Sequence, residues 1–173
     1  MFYNQGVENY FIISIILLGA ILGFLVFNFP FGKIFLGDMG AHLIGFIVGY
    51  LSIVLANHTS VSLWYPLAIF TLPVMETVYT MIRKKRREKR GDKPFGPDKE
   101  HLHHFVLNYV TLKFPNIKNS ILSNSLASVF ILIPYFIVNL IGFIFRENDF
   151  VLIGLFLVSV FGYLYVYNIL KKI

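Results

Sequence analysis

The sequence predicts an all-α, polytopic bundle of about five membrane-spanning helices, and three observations predict it. Hydrophobic residues fill 57% of the 173 positions and mean hydropathy is +0.71; soluble domains are roughly 45–50% apolar. The apolar residues fall in long blocks near 10–27, 39–56, 61–82, 121–145 and 150–170. Each is long enough, or nearly so, to cross a hydrocarbon core that needs ~20 helical residues. Barrel-like alternation is absent, and open strands leave backbone groups unpaired in lipid, so helices remain.

The first block, 10–27, lacks a basic flank and is long enough to span, so it reads as a helix and not as a cleaved leader. Residues 28–38, NFPFGKIFLGD, follow it. Pro30 and Gly32 break the helix there and make a turn. The second block carries Gly45 and Gly49, as the first carries Gly19 and Gly23. GxxxG spacing lets helices approach closely, although glycine is also common in membrane helices generally. The third block, 61–82, contains Pro73, and the fourth contains Pro134; each proline is expected to kink its helix or end a turn. The whole of 1–173 reads as one integral-membrane domain, with 83–119 as its basic, histidine-bearing loop.

Charge sets the orientation. Most of the fifteen Lys and Arg residues lie in 83–119, Lys33 lies in the first connection, and Lys171 and Lys172 end the chain. Five alternating spans put all of these on one side and only Arg146 on the other. The basic side is then cytoplasmic, the N-terminus outside and the C-terminus inside. A net charge of +6 can signal nucleic-acid binding, but here the positive charge gathers where the chain leaves the membrane. The run RKKRREKR at 83–90 reads first as a topology signal attracted to anionic headgroups. With no cysteine in the chain, disulfides and thiolate metal sites are excluded.

Two polar islands carry the chemistry. In the first, Asp38 lies between Gly37 and Gly40, and glycine leaves room for a ligand beside the backbone. A carboxylate there suits Mg²⁺, a hard cation that takes oxygen ligands and retains bonds to phosphate. Asp38 could equally cap the second helix. His42 is one turn further along the same face and reads as a packing residue before an assisting one. The second island is residues 94–104, PFGPDKEHLHH. Pro97 and Asp98 look like a helix start, with Asp98 as its cap. His101 and His104 would then share a face, with His103 directed elsewhere. Three imidazoles in four residues can bind zinc, donate to phosphate or shuttle protons; a solvated basic loop is the plain alternative. The nearby positive charge favours an anionic ligand over a metal. Glu76, inside the third block, needs a partner and is expected to pair with a basic residue near the interface. Leu102, Phe105, Val106, Tyr109 and Leu112 form an apolar stripe expected to lie along the membrane interface.

Together these residues resemble the polyprenyl-phosphate N-acetylhexosamine-1-phosphate transferases (glycosyltransferase 4, the group of phospho-N-acetylmuramoyl-pentapeptide transferase). NFPFGKIFLGDMGA at 28–41 is similar to the family's N-F-P-x-x-K-x-F-x-G-D-x-G signature, and PFGPDKEHLHH to its histidine-loop signature. LPVMETVYTMIRK resembles the span before that loop, where the family often has Asp at the position of Glu76.

The resemblance implies transfer of a sugar-1-phosphate from a UDP-N-acetylhexosamine to a polyprenyl phosphate such as undecaprenyl phosphate. The reaction would occur on the cytoplasmic leaflet of a bacterial inner membrane, release UMP and initiate cell-envelope polysaccharide synthesis. By motif position, Asp38 would ligate Mg²⁺ (or Mn²⁺), Phe35 would stack on uracil, Gly37 would allow close approach, and Asn28 would shape the nucleotide site. His101, His103 and His104 would line the pyrophosphate region. Asp38 and the histidines would therefore face one another at one membrane surface.

The likeness is to the C-terminal half only. The family's earlier aspartate-rich signature and its N-x-x-N-x-x-D-G stretch have no match in these 173 residues. The isolated chain is expected to be inactive, and to work with the missing N-terminal half or as a homo-oligomer. A non-catalytic membrane remnant or assembly partner is the competing expectation. A carrier fits less well, because it would place charges at the bilayer midplane.

Overall fold

The computed structural model describes residues 8–89, 100–115, 117 and 120–172. Among them are seven helices: α1 (Glu8–Asn28), α2 (Gly37–His58), α3 (Trp64–Ile69), α4 (Thr71–Lys89), α5 (Leu102–Lys113), α6 (Ser120–Ile144) and α7 (Asp149–Leu170). Four of them, α1, α2, α6 and α7, are long and apolar enough to cross a membrane. Their large side chains are widely exposed, including Ile16, Phe46, Phe136 and Phe161, as expected where lipid and not water is the solvent. The all-helical class follows the sequence reading. The chain divides into two compact units, Met1–Leu63 and Trp64–Ile173.

In the first unit α1 ends where Pro30 arrives. The Gly32 amide returns to the Asn28 carbonyl and Lys33 N–H reaches Phe27 O at 3.4 Å. Gly32 and Gly37 hold φ of +59° and +70°, a left-handed conformation that glycine adopts without steric cost. They bracket the polar loop and aim the chain into α2. A Cβ on Gly19, Gly23, Gly45 or Gly49 would meet no neighbouring atom within 4 Å, so these glycines form no tight helix crossing among the described residues.

In the second unit the third apolar block, expected as one of about five spanning helices, is not one continuous helix, which leaves four of spanning length among the described residues. It breaks at Phe70 into α3 and α4, and α4 runs on through the basic residues to Lys89. The cause is Pro73, which has no N–H to return to the Ile69 carbonyl four residues earlier. The Tyr135 hydroxyl, from α6, donates to that carbonyl instead. Thr71 Oγ1 bonds back to Leu67 O and Ala68 O, both at 2.9 Å. Pro134, by contrast, sits inside an α6 that continues through it.

Helix α5 differs from its expectation as well. Its buried stripe is Leu102, Val106 and Val110, clustered with Ala127 of α6 and with Tyr163 and Tyr167 of α7. Leu112 faces outward. Thus α5 packs onto α6 and α7 by residues one turn apart, a helix within 83–119 as the sequence predicts but with its stripe turned to protein. Helix α7 starts cleanly, since Asn148 caps it by accepting from Val151 N–H at 3.1 Å.

Candidate functional site

The first island lies in the first unit. Asp38 is not the cap of α2; Leu36 holds that position, with no side-chain cap bond. Asp38 is the second residue of the helix and exposed, with its carboxylate in the first turn, where the helix dipole favours negative charge. Among the described residues it makes no hydrogen bond or ion pair. Phe35 is 91% exposed, Asn28 and Gly37 are half-buried, and His42 is exposed. Loop, aromatic ring and carboxylate are therefore accessible together. Gly40 lies close under Leu36: a Cβ there would lie 2.8 Å from Leu36 Cδ1, so that side chain would have to shift.

The second island lies in the second unit. Residues 90–99, including Pro97 and Asp98, fall outside the described residues. Helix α5 begins at Leu102, with His101 in extended conformation (φ −80°, ψ 149°) at its N-cap. The imidazole makes no cap bond there. The α5 N-terminus is served from another helix: Glu76 Oε1 of α4 accepts from Leu102 N–H at 3.0 Å. The same oxygen accepts from Tyr163 O–H of α7 at 3.0 Å, and Oε2 lies 2.9 Å from His101 Nδ1. Glu76 therefore pairs with His101, and two further donors share its carboxylate.

Neighbouring bonds fasten the same corner. Tyr167 O–H donates to Glu100 O at 3.1 Å and receives Arg83 Nη1–H at 3.2 Å. Lys171 Nζ meets Glu100 Oε2 at 2.8 Å. Arg83, read as part of a topology signal attracted to headgroups, is buried and bonded to Thr80 Oγ1 at 3.1 Å.

The three imidazoles cluster. Ring centroids of His101 and His103 are 5.6 Å apart and nearly parallel, at 14°. Those of His103 and His104 are 4.1 Å apart, and those of His101 and His104 are 6.3 Å apart. His103 thus joins its neighbours, contrary to the helical-face expectation. The reason is that His101 sits outside the helix, so the three-residue spacing does not govern its direction. Desolvation by the surrounding protein, then the His104 and His101 imidazoles, hold His103 below its ordinary value, with Glu76 opposing.

No group of three His, Asp or Glu side chains suited to a metal ion exists among the described residues. Asp38 fits Mg²⁺ only as a single ligand; this ion usually takes one or two carboxylates and completes its shell with water and phosphate. The residues that sequence reasoning missed are Tyr163, Tyr167, Glu100 and Lys171. A usable signal existed: Tyr163 and Tyr167 are four apart on one face of the last span, next to its basic end.

Residues 1–56 match the family model described as glycosyl transferase family 4. The chain is 37% identical over 109 residues to a decaprenyl-phosphate N-acetylglucosaminephosphotransferase of Mycolicibacterium smegmatis, covering 56% of this chain and 26% of that protein. It is 32% identical over 100 residues to a probable undecaprenyl-phosphate N-acetylglucosaminyl 1-phosphate transferase of Bacillus subtilis, covering 56% and 27%. An undecaprenyl-phosphate alpha-N-acetylglucosaminyl 1-phosphate transferase of Thermotoga maritima is 35% identical over 85 residues, covering 49% and 27%. The matched segment is about a quarter of the length of these curated relatives. No solved structure matches the chain.

Proposed function

We propose that this chain, whose residues 1–56 match the glycosyl transferase family 4 model, contributes the nucleotide and pyrophosphate region of a membrane phosphotransferase of that family. The donor is a UDP-N-acetylhexosamine and the acceptor a polyprenyl phosphate. The reaction takes place at the cytoplasmic face of the cell membrane, the side on which the basic residues gather when α3 and α4 together make the third of five crossings. The observation that carries this reading is the gathering of His101, His103 and His104, with centroids 4.1 to 6.3 Å apart, in a chain whose family-matched segment holds an exposed Asp38.

In the reaction an acceptor phosphate oxygen attacks the sugar-bearing phosphorus. That P–O bond forms, the bond to the oxygen bridging the two phosphorus atoms breaks, and UMP departs. Two anions must meet, so the site has to offset their charge. Asp38 would hold Mg²⁺, which when bound would supply Lewis-acid polarisation of the phosphate oxygens. Phe35 stacks on the uracil, and Asn28 shapes the nucleotide site. Gly37, with no Cβ and a φ of +70°, leaves room beside the loop. The imidazoles hydrogen-bond the pyrophosphate oxygens, and His103, held below its ordinary value, does so in its neutral form near pH 7.

Photolabelling tests this with the chain as it stands. Membranes containing it are irradiated with an azido-UDP-sugar, and the labelled peptides are mapped. Label should enter the 28–38 loop and the 100–104 segment, and excess UMP should compete it away. Labelling of neither segment, or labelling that UMP does not displace, would overturn the proposal.

A further inference from the structure

We infer that Tyr167 is a positioning residue that fixes the backbone of His101 from its upstream side, and that Arg83 aims its hydroxyl. This rests on the reading of the histidines as pyrophosphate contacts. A guanidinium can only donate, so Tyr167 Oη accepts from Arg83 Nη1–H at 3.2 Å. The hydroxyl proton is then directed to Glu100 O, 3.1 Å away. A peptide unit is planar, so holding Glu100 O holds the plane that ends at His101 Cα. The next plane is held too, because Leu102 N–H donates to Glu76 Oε1 at 3.0 Å. The two planes that flank His101 are thus each bonded to a side chain from another helix, Tyr167 of α7 and Glu76 of α4. Only φ and ψ of His101 join these planes. The pair therefore sets its extended conformation (φ −80°, ψ 149°), and with it the direction in which the histidine segment enters α5.

Helix α5 supplies the downstream bonds only. Its ladder begins at His101 O, which accepts from His104 N–H at 3.0 Å and from Phe105 N–H at 3.4 Å. Glu100 precedes that ladder and lies outside any helix. The place of Tyr167 itself does not depend on its hydroxyl. Its ring packs 4.6 Å from that of Tyr79 and edge-on to Phe105 at 5.3 Å, and both Tyr167 and Arg83 are buried. One turn further along α7, Lys171 meets the Glu100 carboxylate at 2.8 Å, an exposed pair of the kind that contributes little. The buried hydroxyl, and not the exposed ammonium, is the fixed point.

The test separates positioning from folding. The whole chain in nanodiscs is treated with diethyl pyrocarbonate, and modification of each histidine is followed by mass spectrometry against rising inorganic pyrophosphate. His58, exposed at the far end of α2 from Asp38, is the internal reference. In wild type, pyrophosphate should protect the histidines of 101–104 and leave His58 reactive. Tyr167→Phe keeps the ring and deletes only the hydroxyl. Without ligand its histidines should react as fast as those of wild type, while the half-protecting concentration rises about tenfold, the scale of one lost hydrogen bond. Tyr79→Phe deletes a hydroxyl of the same aromatic cluster that makes no hydrogen bond among the described residues, and should leave that concentration unchanged. Circular dichroism establishes that each variant is folded. An unchanged half-protecting concentration in folded Tyr167→Phe would overturn the inference and leave the functional reading standing. So would an equal rise in Tyr79→Phe, which would trace the effect to packing of the cluster. Absence of protection in wild type would sink the functional reading of the histidines, and the positioning role with it.

Discussion

Asp38 in the first turn of α2 and Glu76 within α4 are both acidic residues, and the protein treats them in opposite ways. Asp38 stands exposed in the first turn of α2, making no bond among the described residues. Glu76 has a quarter of its side chain exposed (24%) and three donors on its two oxygens. Among the described residues, the first carboxylate has its lone pairs unclaimed. The second is occupied by protein and can act only through what it holds. A carboxylate that a fold leaves open is a candidate ligand, and one that a fold surrounds with donors is a candidate organiser.

The largest expected effect separates the two. Asp38→Asn should reduce UMP release by ~100-fold or more, the scale of losing one main electrostatic contact in a transition state. The assay uses membranes in which the chain is joined to the preceding segment of a longer relative. Because Asp38 bonds nothing among the described residues and gains only a small helix-dipole term in the first turn, the thermal midpoint of the variant should fall only slightly. A variant that lost much stability along with activity would place Asp38 on the organising side of the comparison.

Glu76→Ala should do the reverse in kind. It strips acceptors from Leu102 N–H and Tyr163 O–H, and leaving buried donors unsatisfied costs about 1–3 kcal/mol. The expected outcome is a lower thermal midpoint in detergent and loosening of α5, read as faster amide exchange at 102–106. Unchanged exchange there would show that α5 is held by Leu102, Val106 and Val110 packing alone.

How legible this was in the sequence follows the same division. The spans α1, α2, α6 and α7 were readable because lipid demands unbroken apolar length, which composition displays directly. Asp38 was readable because its neighbours are glycines and its motif is contiguous. The break at Phe70 was only half legible. Pro73 announces a missing N–H, but the Tyr135 hydroxyl that answers it lies in α6, 62 residues later by number. The Glu76 network was illegible for that reason too. Its members come from three helices, and no local pattern places a tyrosine of α7 on a carboxylate of α4. His103 was misdirected because helical spacing was applied across a residue that lies outside the helix.

A smaller effect sharpens the picture of a unit that answers its own defects. Tyr135→Phe leaves the Ile69 carbonyl without its donor and should destabilise by about 1 kcal/mol, the scale of hydrogen bonds measured within membranes. Pro73→Ala restores an amide that can reach that carbonyl through the helix. The hydroxyl then becomes redundant, so Tyr135→Phe should cost less in the Pro73→Ala background. A double-mutant cycle of unfolding measurements gives the coupling. Strict additivity would mean that the tyrosine is not substituting for the missing amide.

The smallest effect concerns His103, which belongs to the organised unit and yet is exposed like Asp38. Desolvation and the two neighbouring imidazoles hold it below its ordinary value in the folded chain. The unfolded chain takes up the proton nearer to about 6.5. Between those two values the folded state binds fewer protons, so stability rises with pH across that window. It is lost as pH falls through the unfolded value and levels off below the folded one. Glu76 opposes the shift, and the exposure of the ring screens the interaction, so the slope should be shallow. His103→Gln should flatten it, as read from thermal midpoints across the imidazole range. An undiminished slope in that variant would assign the pH response to another group. A steeper one would mean that His103 is stabilised in its charged form, which places it with the anchored His101 and not with the open carboxylate of the first unit.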